Sequence, residues 1–539
     1  MMEFQLADLF EALCDARPDA EALVAGERRY TRLELDRRAS RLAHHLRSQG
    51  IGRGDHVGVY AYNRIEWVEA MLACWKIGAA TVNVNFRYVS AELRYIWENS
   101  DMVALIYERS FAPLVSELAP DFPDLRCYLV LEDGSERDHE APGLEYEAAL
   151  AAQPEARGFE PRAGDDIYLV YTGGTTGMPK GVLWRHEDFF FNMIAPLAGK
   201  LQRPEEIVKQ ADNPLGMRTL TISPLMHGGG QFPFIITLLN GGLGLFPVSR
   251  SFDPHEVLRI IERERVVALS IIGDAMGRPI AEARLDPAHD YDTRSLLAIS
   301  TGGALLTEPV RTLLCRAFGR VVITGGIGSS EIGSAARETS RFDPDHGPRF
   351  SLDDAVAVLD DEGQRIEPGT GRIGRLARCG HIPLGYYKDP EKTAATFVTD
   401  ARGVRWVLPG DYARVEEDGT ITLLGRGSAC INSGGEKIFP DEVEGVIAQH
   451  PAVRHVTVVG VPDPHWMERV IAIIEPKEPE HPPTLEEIQA HCRRHLAGYK
   501  VPRGLVVGEI QRTPAGKVDS VWARKFAGRA AAKDEPLKP

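Results

Sequence analysis

Ile167-Tyr168-Leu169-Val170-Tyr171-Thr172-Gly173-Gly174-Thr175-Thr176-Gly177-Met178-Pro179-Lys180-Gly181 is the stretch on which the fold turns. Its apolar opening reads as a buried strand, which runs straight into a glycine-rich turn. Glycines let the backbone approach an anion closely, and successive N–H groups form an anion-binding nest. The hydroxyls of Thr172, Thr175 and Thr176 add donors, and Lys180 adds a point charge. A plain surface turn needs neither. The loop is not a Walker A sequence, because Pro179 precedes the lysine and the GK[ST] ending is missing.

Outward from this point the first half alternates helix and strand patterns. Thr31-Arg32-Leu33-Glu34 is a capping-box signature, and Leu35, Ala39, Leu42 and Leu46 behind it form one apolar stripe, with Gly50 as a C-cap. Val57-Gly58-Val59-Tyr60 reads as a short strand and Arg64–Ile77 as the next helix. Val321–Thr324 predicts a second buried strand ending in a glycine turn. The expectation is an α/β body built on mostly parallel, doubly wound sheets, whose ligands gather at the carboxyl ends of the strands.

Character changes near residue 411. Asp418-Gly419 between extended runs predicts a hairpin over Val415–Gly425. A helix around Asp441–Gln449 and a strand over Val456–Val461 follow. Then come a Pro/Glu-rich loop over 475–483 and a second capping box at Thr484-Leu485-Glu486-Glu487. This last part reads as a small separate α+β unit.

The 539 residues are 43% hydrophobic and 26% charged, the composition of an ordinary folded chain with ample core. The net charge of −15 argues against a nucleic-acid partner. Seven dispersed cysteines without a CxxC pair signal neither a disulfide framework nor a zinc site. The acidic first turns are unlike a signal peptide, and no apolar run reaches the roughly 20 residues of a membrane span. These features predict a cytoplasmic protein with no integral membrane segment.

Further motifs follow the phosphate-type loop in order. They are Ser223-Pro224-Leu225-Met226-His227-Gly228-Gly229-Gly230, Ser300-Thr301-Gly302-Gly303-Ala304 and Gly325-Gly326-Ile327-Gly328-Ser329-Ser330-Glu331. Gly410-Asp411, Gly425-Arg426, Ser433-Gly434-Gly435 and Pro514-Ala515-Gly516-Lys517-Val518-Asp519 complete the series. Gly326-Ile327-Gly328 lacks the third glycine of a dinucleotide fingerprint. The ordered set resembles the adenylate-forming enzymes: acyl-CoA synthetases, peptide-synthetase adenylation domains and luciferases. The resemblance covers essentially the whole chain. The spellings over Tyr171–Arg185, Ile272–Met276, Ile327–Glu331 and Arg426–Phe439 are similar to actinobacterial-type acyl-CoA ligases for fatty and steroid-side-chain acids.

The resemblance implies a large N-terminal body over 1–425 and a mobile C-terminal domain over 426–539, hinged near Arg426–Ser428. It implies ATP contacts by Thr172, Gly173, Gly174, Thr175, Thr176, Gly177, Lys180, Gly303, Ala304, Gly326, Ile327, Gly328, Ser329, Ser330, Asp411 and Arg426. Asp411 takes the ribose hydroxyls. His227, Gly228, Gly229 and Gly302 line the acyl pocket. Ser433, Gly434 and Gly435 belong to the thioester loop for coenzyme A. Lys517, Glu331 and His227 are the catalytic set, and Glu331 supports Mg2+ indirectly. Partners are then small molecules only: ATP, a carboxylic acid and CoA. Dimers are common in such enzymes.

Two positions depart from the family pattern. Ile327 stands where an adenine-stacking aromatic is usual, which points to Tyr386 or Tyr387 as a substitute. Ser428 replaces the usual Asp or Lys of the hinge. The implied reaction is AMP-forming activation of an apolar acid followed by transfer to the CoA thiol. Two other readings stay open: a stand-alone adenylation enzyme that loads a carrier-protein thiol, and a non-catalytic nucleotide- or acyl-binding module.

Overall fold

A computed structural model describes residues 2–136, 140–172, 178–199, 201–304, 306–343, 347–433, 436–463, 466–513 and 516–531. The N-terminal capping box forms as read: Thr31 caps helix Arg32–Ser48, with Glu34 returning to the Thr31 backbone. Its Leu35, Ala39, Leu42 and Leu46 are buried in the main core.

One parallel sheet takes strands Ala80–Asn83, His56–Tyr60, Met102–Glu108, Cys127–Leu131 and Leu144–Glu145 in that spatial order. A second has Arg28–Thr31 antiparallel at its edge, followed by parallel strands Glu21–Ala25, Leu243–Phe246, Arg218–Thr221, Ala268–Ile271, Ala298–Thr301 and Val322–Ser329. Helices cover these sheets, so both halves of the body are doubly wound.

Two strands differ from the sequence reading. Ile167–Thr172 does not join a parallel sheet. It pairs antiparallel with Lys180–Arg185, which in turn pairs with Gly385–Tyr386. The strands on either side of the phosphate-type loop are therefore antiparallel partners. An apolar run reports burial on both faces and leaves the direction of its partner open.

The second difference is Val322, which is 61% exposed. Its glycine stretch is no turn: the strand continues to Ser329 and switches to antiparallel pairing with Gly333–Asp343. From there the sheet becomes wholly antiparallel and includes the expected hairpin of Asp411–Val415 with Ile421–Arg426.

The C-terminal unit has its own five-stranded sheet over Ile431–Val507. Side chains alternate along its two long strands, as the period of two requires. Val458, Val470, Ala472 and Ile474 pack with helices Pro440–Ile447 and Leu485–Cys492, the second opened by the Thr484 capping box. Val459, Val461, Ile471 and Ile473 face the opposite way, onto Ala523 and Ala527 of helix Ser520–Ala531. Among the described residues, no helix is long and apolar enough to cross a membrane.

Candidate active site

Lys517 rides on a tight turn. Arg512 bridges Val518, the Thr513 amide donates to the Lys517 carbonyl at 2.6 Å, and the Gly516 amide donates to the Thr513 carbonyl at 2.8 Å. Asp519 then accepts from the amides of Val521 and Trp522, capping the helix that follows. The exposed lysine reaches across to the body: a methyl group placed on Gly303 would lie 3.7 Å from its Cε. Gly303 itself has φ +77°, a conformation an L side chain adopts only at a cost.

His227 is the N-cap of helix Gly228–Leu239. The loop before it is held from three sides by amide side chains. Asn63 accepts from the Leu225 amide (2.7 Å) and donates to the Ser223 carbonyl (3.2 Å). Gln231 donates to the Leu225 carbonyl (2.7 Å). Asn83, 5% exposed, donates to the Met226 carbonyl (2.6 Å). The same Asn83 exchanges two hydrogen bonds with the backbone of Tyr171, at 2.8 and 2.7 Å. One side chain thus joins the strand entering the phosphate-type loop to the loop carrying His227.

Burial, reinforced by the charges of Lys517 and Arg87, holds the His227 ring down to about 4. The imidazole is therefore neutral near pH 7, and its buried Nε2 has no hydrogen-bond partner among the described residues. A Cβ on neighbouring Gly228 would meet Ser330 Oγ at 3.2 Å, whereas one on Gly229 or Gly302 would meet nothing within 4 Å. His227, Gly228, Ser330, Gly303 and Lys517 consequently surround one region, with open space beside Gly229 and Gly302.

Glu331 follows the switched strand. Tyr386 donates its hydroxyl to Glu331 Oε1 at 3.1 Å, and Trp184 donates to the Ser330 carbonyl at 2.9 Å. Asn192 donates to the Ile332 carbonyl and accepts from the Ser334 amide, around a Gly333 held at φ +65°. Lys180 pairs with Asp389, which also caps helix Pro390–Thr396, and its ammonium lies 6.0 Å from the Tyr386 ring centre.

Of the two tyrosines proposed to replace the aromatic at Ile327, Tyr387 bonds Asp101 and packs edge-on to His56, on the side of the first parallel sheet. Tyr386 stays beside Glu331. Ile327 is 7% exposed and packs into the main core, while Ala304 packs at the edge of a second core. Gly326 and Gly328 pair with Arg337 and Ser334 in the adjoining strand.

Asp411 and Arg426 stand opposite each other in paired strands. Ser433 is buried within the C-terminal sheet, opposite Met467 and Glu436. Gly173, Gly174, Thr175, Thr176, Gly177, Gly434 and Gly435 lie outside the described residues. Asn83, Asn192, Trp184 and Asp389 are site-building residues that motif reading passes over, since amides, indoles and caps acquire meaning only from their tertiary partners.

Comparison with known proteins identifies the family of the chain. Residues 10–387 match the AMP-binding enzyme family, and residues 442–517 match the AMP-binding enzyme C-terminal domain. The chain is 46% identical over 540 residues to the 3-oxocholest-4-en-26-oate–CoA ligase of Rhodococcus rhodochrous, covering 98% of this chain and 96% of that one. It is 45% identical to a medium/long-chain-fatty-acid–CoA/3-oxocholest-4-en-26-oate–CoA ligase of Mycobacterium tuberculosis, covering 98% and 97%. Among solved structures, the anthranilate CoA ligase AuaEII with anthranoyl-AMP superposes with a TM-score of 0.83 at 26% identity, over 99% of each chain. A lysine-bearing C-terminal turn docked on a doubly wound body and family matches in both units lead to one assignment: the chain belongs to the AMP-binding enzyme family.

Proposed function

We propose that the protein is an AMP-forming acid:CoA ligase for apolar carboxylic acids, either fatty or bulky and steroid-like. The observation that carries this reading is the approach of Lys517 to Gly303 beside a neutral His227. A carboxylate oxygen attacks the α-phosphorus of ATP, the bond to the β-phosphate oxygen breaks, and pyrophosphate leaves. Negative charge builds on the phosphate oxygens, where a fixed ammonium is most effective. Lys517 supplies that charge. His227 Nε2, buried without a partner among the described residues, is placed to donate to the acid's carboxylate. The CoA thiolate then attacks the acyl carbon, forming the carbon–sulfur bond as AMP leaves.

Glu331 suits Mg2+, which is held by one or two carboxylates together with substrate phosphates and water. Among the described residues no three His, Cys, Asp or Glu side chains gather into an all-protein cage. Glu331 would hold the ion, which supplies charge neutralisation at the phosphates, and the Tyr386 hydroxyl keeps that carboxylate oriented. Lys180, released from Asp389, would serve the same phosphates.

The open space beside Gly229 and Gly302 supports a wide acid, as do relatives named for cholestenoate and fatty acids. Pyrophosphate exchange over acids of graded size tests the reading. Turnover with long-chain or steroid-side-chain acids is expected, and activation of acetate or amino acids alone overturns it. Free CoA against a carrier protein as acceptor separates the ligase from a carrier-loading enzyme.

A further inference from the structure

Helix Gly273–Leu285 carries Asp274, Arg278 and Glu282 at four-residue spacing, a single stripe of alternating charge. The C-terminal unit lies along it. Arg278 Nη2 donates to the Arg454 carbonyl at 3.0 Å, and Glu282 pairs with the Arg454 guanidinium at 3.2 Å. Arg278 is only 7% exposed, so the contact takes its charge out of water.

At the helix N-terminus, the charge of Arg512 acts on Asp274. A methyl on Gly516 would touch Ile272 Cγ2 at 3.5 Å and Ala275 Cβ at 3.8 Å. Gly516 immediately precedes Lys517. Asp274 also accepts from the Thr307 amide (2.8 Å) and hydroxyl (2.7 Å), at the start of the helix that follows the Gly302-Gly303 turn. One helix is thereby fastened both to the turn that Lys517 approaches and to the unit that delivers Lys517.

We propose that Gly273–Leu285 is the docking rail that holds Lys517 in register with Gly303, and that Arg278 and Glu282 are positioning residues for the adenylate-forming step. Asp274 anchors the rail to the turn. The proposal rests on Lys517 being the adenylating cation. Alternating charge limits movement toward the helix N-terminus: sliding the unit one turn that way would set Arg454 against Arg278, a like-charge encounter.

Glu282 and Arg454 are about 45% exposed, so their exchange spares the core. In Glu282→Arg, pyrophosphate exchange is expected to fall roughly fivefold at unchanged KM for ATP. Thioester formation from supplied acyl-adenylate stays at the wild-type rate. Adding Arg454→Glu restores most of the loss. Arg278→Ala falls further, by roughly tenfold or more, again in the first half-reaction alone. Equal losses in both half-reactions, or no rescue by the second charge, overturn the proposal.

Hydrogen–deuterium exchange over 273–285 reads docking without turnover. Faster exchange in Glu282→Arg supports the rail, and unchanged exchange overturns it. A wild-type enzyme silent with every acid defeats the functional reading, while this second measurement still decides the rail.

Discussion

Lys517 and Gly303 come from different units of the chain, and the lysine Cε lies 3.7 Å from the place a Cβ would take on the glycine. The body supplies the shape and the C-terminal unit the charge. Replacing Lys517 with Ala removes one preorganised cation, which should cost on the order of 10²- to 10³-fold in adenylate formation. Thioester formation from supplied acyl-adenylate should persist. Gly303→Val tests the other side, since a β-branched residue at φ +77° is strained and crowds the lysine. It should lower pyrophosphate exchange at least tenfold, and wild-type exchange in either variant would refute the roles assigned.

Asn83 joins the phosphate-type loop to the His227 loop through three hydrogen bonds to backbone groups. Asn83→Ala leaves those groups buried and unmatched, with a stability loss of roughly 3 kcal/mol. Urea unfolding should show the loss as a lower midpoint at constant slope. The adenylation rate should fall with it, because the two loops would lose their common anchor. A midpoint within error of the wild type would show that water or a shifted loop replaces the amide.

Much of this architecture is legible in the amino-acid sequence. Thr31 and Thr484 announce their helices by local chemistry alone, and both capping boxes form. The Asp418-Gly419 turn closes its hairpin for the same reason, with Gly419 at φ +80°. Non-local choices were not legible. Nothing in Ile167–Tyr171 states that its partner is Lys180–Arg185 and runs antiparallel. Nothing in Gly325–Ser329 states that it stays extended rather than turning. Those outcomes depend on strands elsewhere in the chain: the amide of Gly325, for example, donates to Glu338 Oε2 at 2.8 Å. At the site, residues with charge or glycine-rich context could be picked out, whereas Asn83 and Asn192 look like ordinary polar residues until their backbone partners are seen.

Buried histidines make stability fall in acid, His227, His186 and His455 most strongly. Burial is the main cause in each, holding His227 at about 4 and His186 and His455 at about 3. Unfolded imidazole titrates near 6.5, so between that pH and about 4 the unfolded chain binds protons that the fold does not. Stability should therefore decline as pH drops through this window, by roughly 1.4 kcal/mol per pH unit for each ring. Replacing fully buried His186 with Gln removes one titrating ring, and the slope of unfolding free energy against pH should flatten accordingly. An unchanged slope would mean that His186 titrates alike in both states. Activity should likewise lack an inflection near 6.5 from His227.

Glu444 works in the opposite direction. Its carboxylate accepts from the Thr457 hydroxyl at 3.0 Å and the Val458 amide at 2.7 Å, yet burial and the charge of Asp441 push its carboxyl up to about 8. The folded-state value lies above the unfolded one, so the stability it contributes is complete below about 4.5 and is lost as pH rises toward 8. Near pH 7.5 the C-terminal unit therefore carries an ionisation penalty that a neutral isostere escapes. Glu444→Gln keeps an acceptor oxygen for Thr457 and Val458 and removes the titratable group beside Asp441. It should raise the unfolding free energy by about 1–3 kcal/mol at pH 7.5 and by much less at pH 5, where the unfolded carboxyl is close to its own titration range and folding takes up little extra proton. A gain of equal size at both pH values would place the effect in packing instead of ionisation.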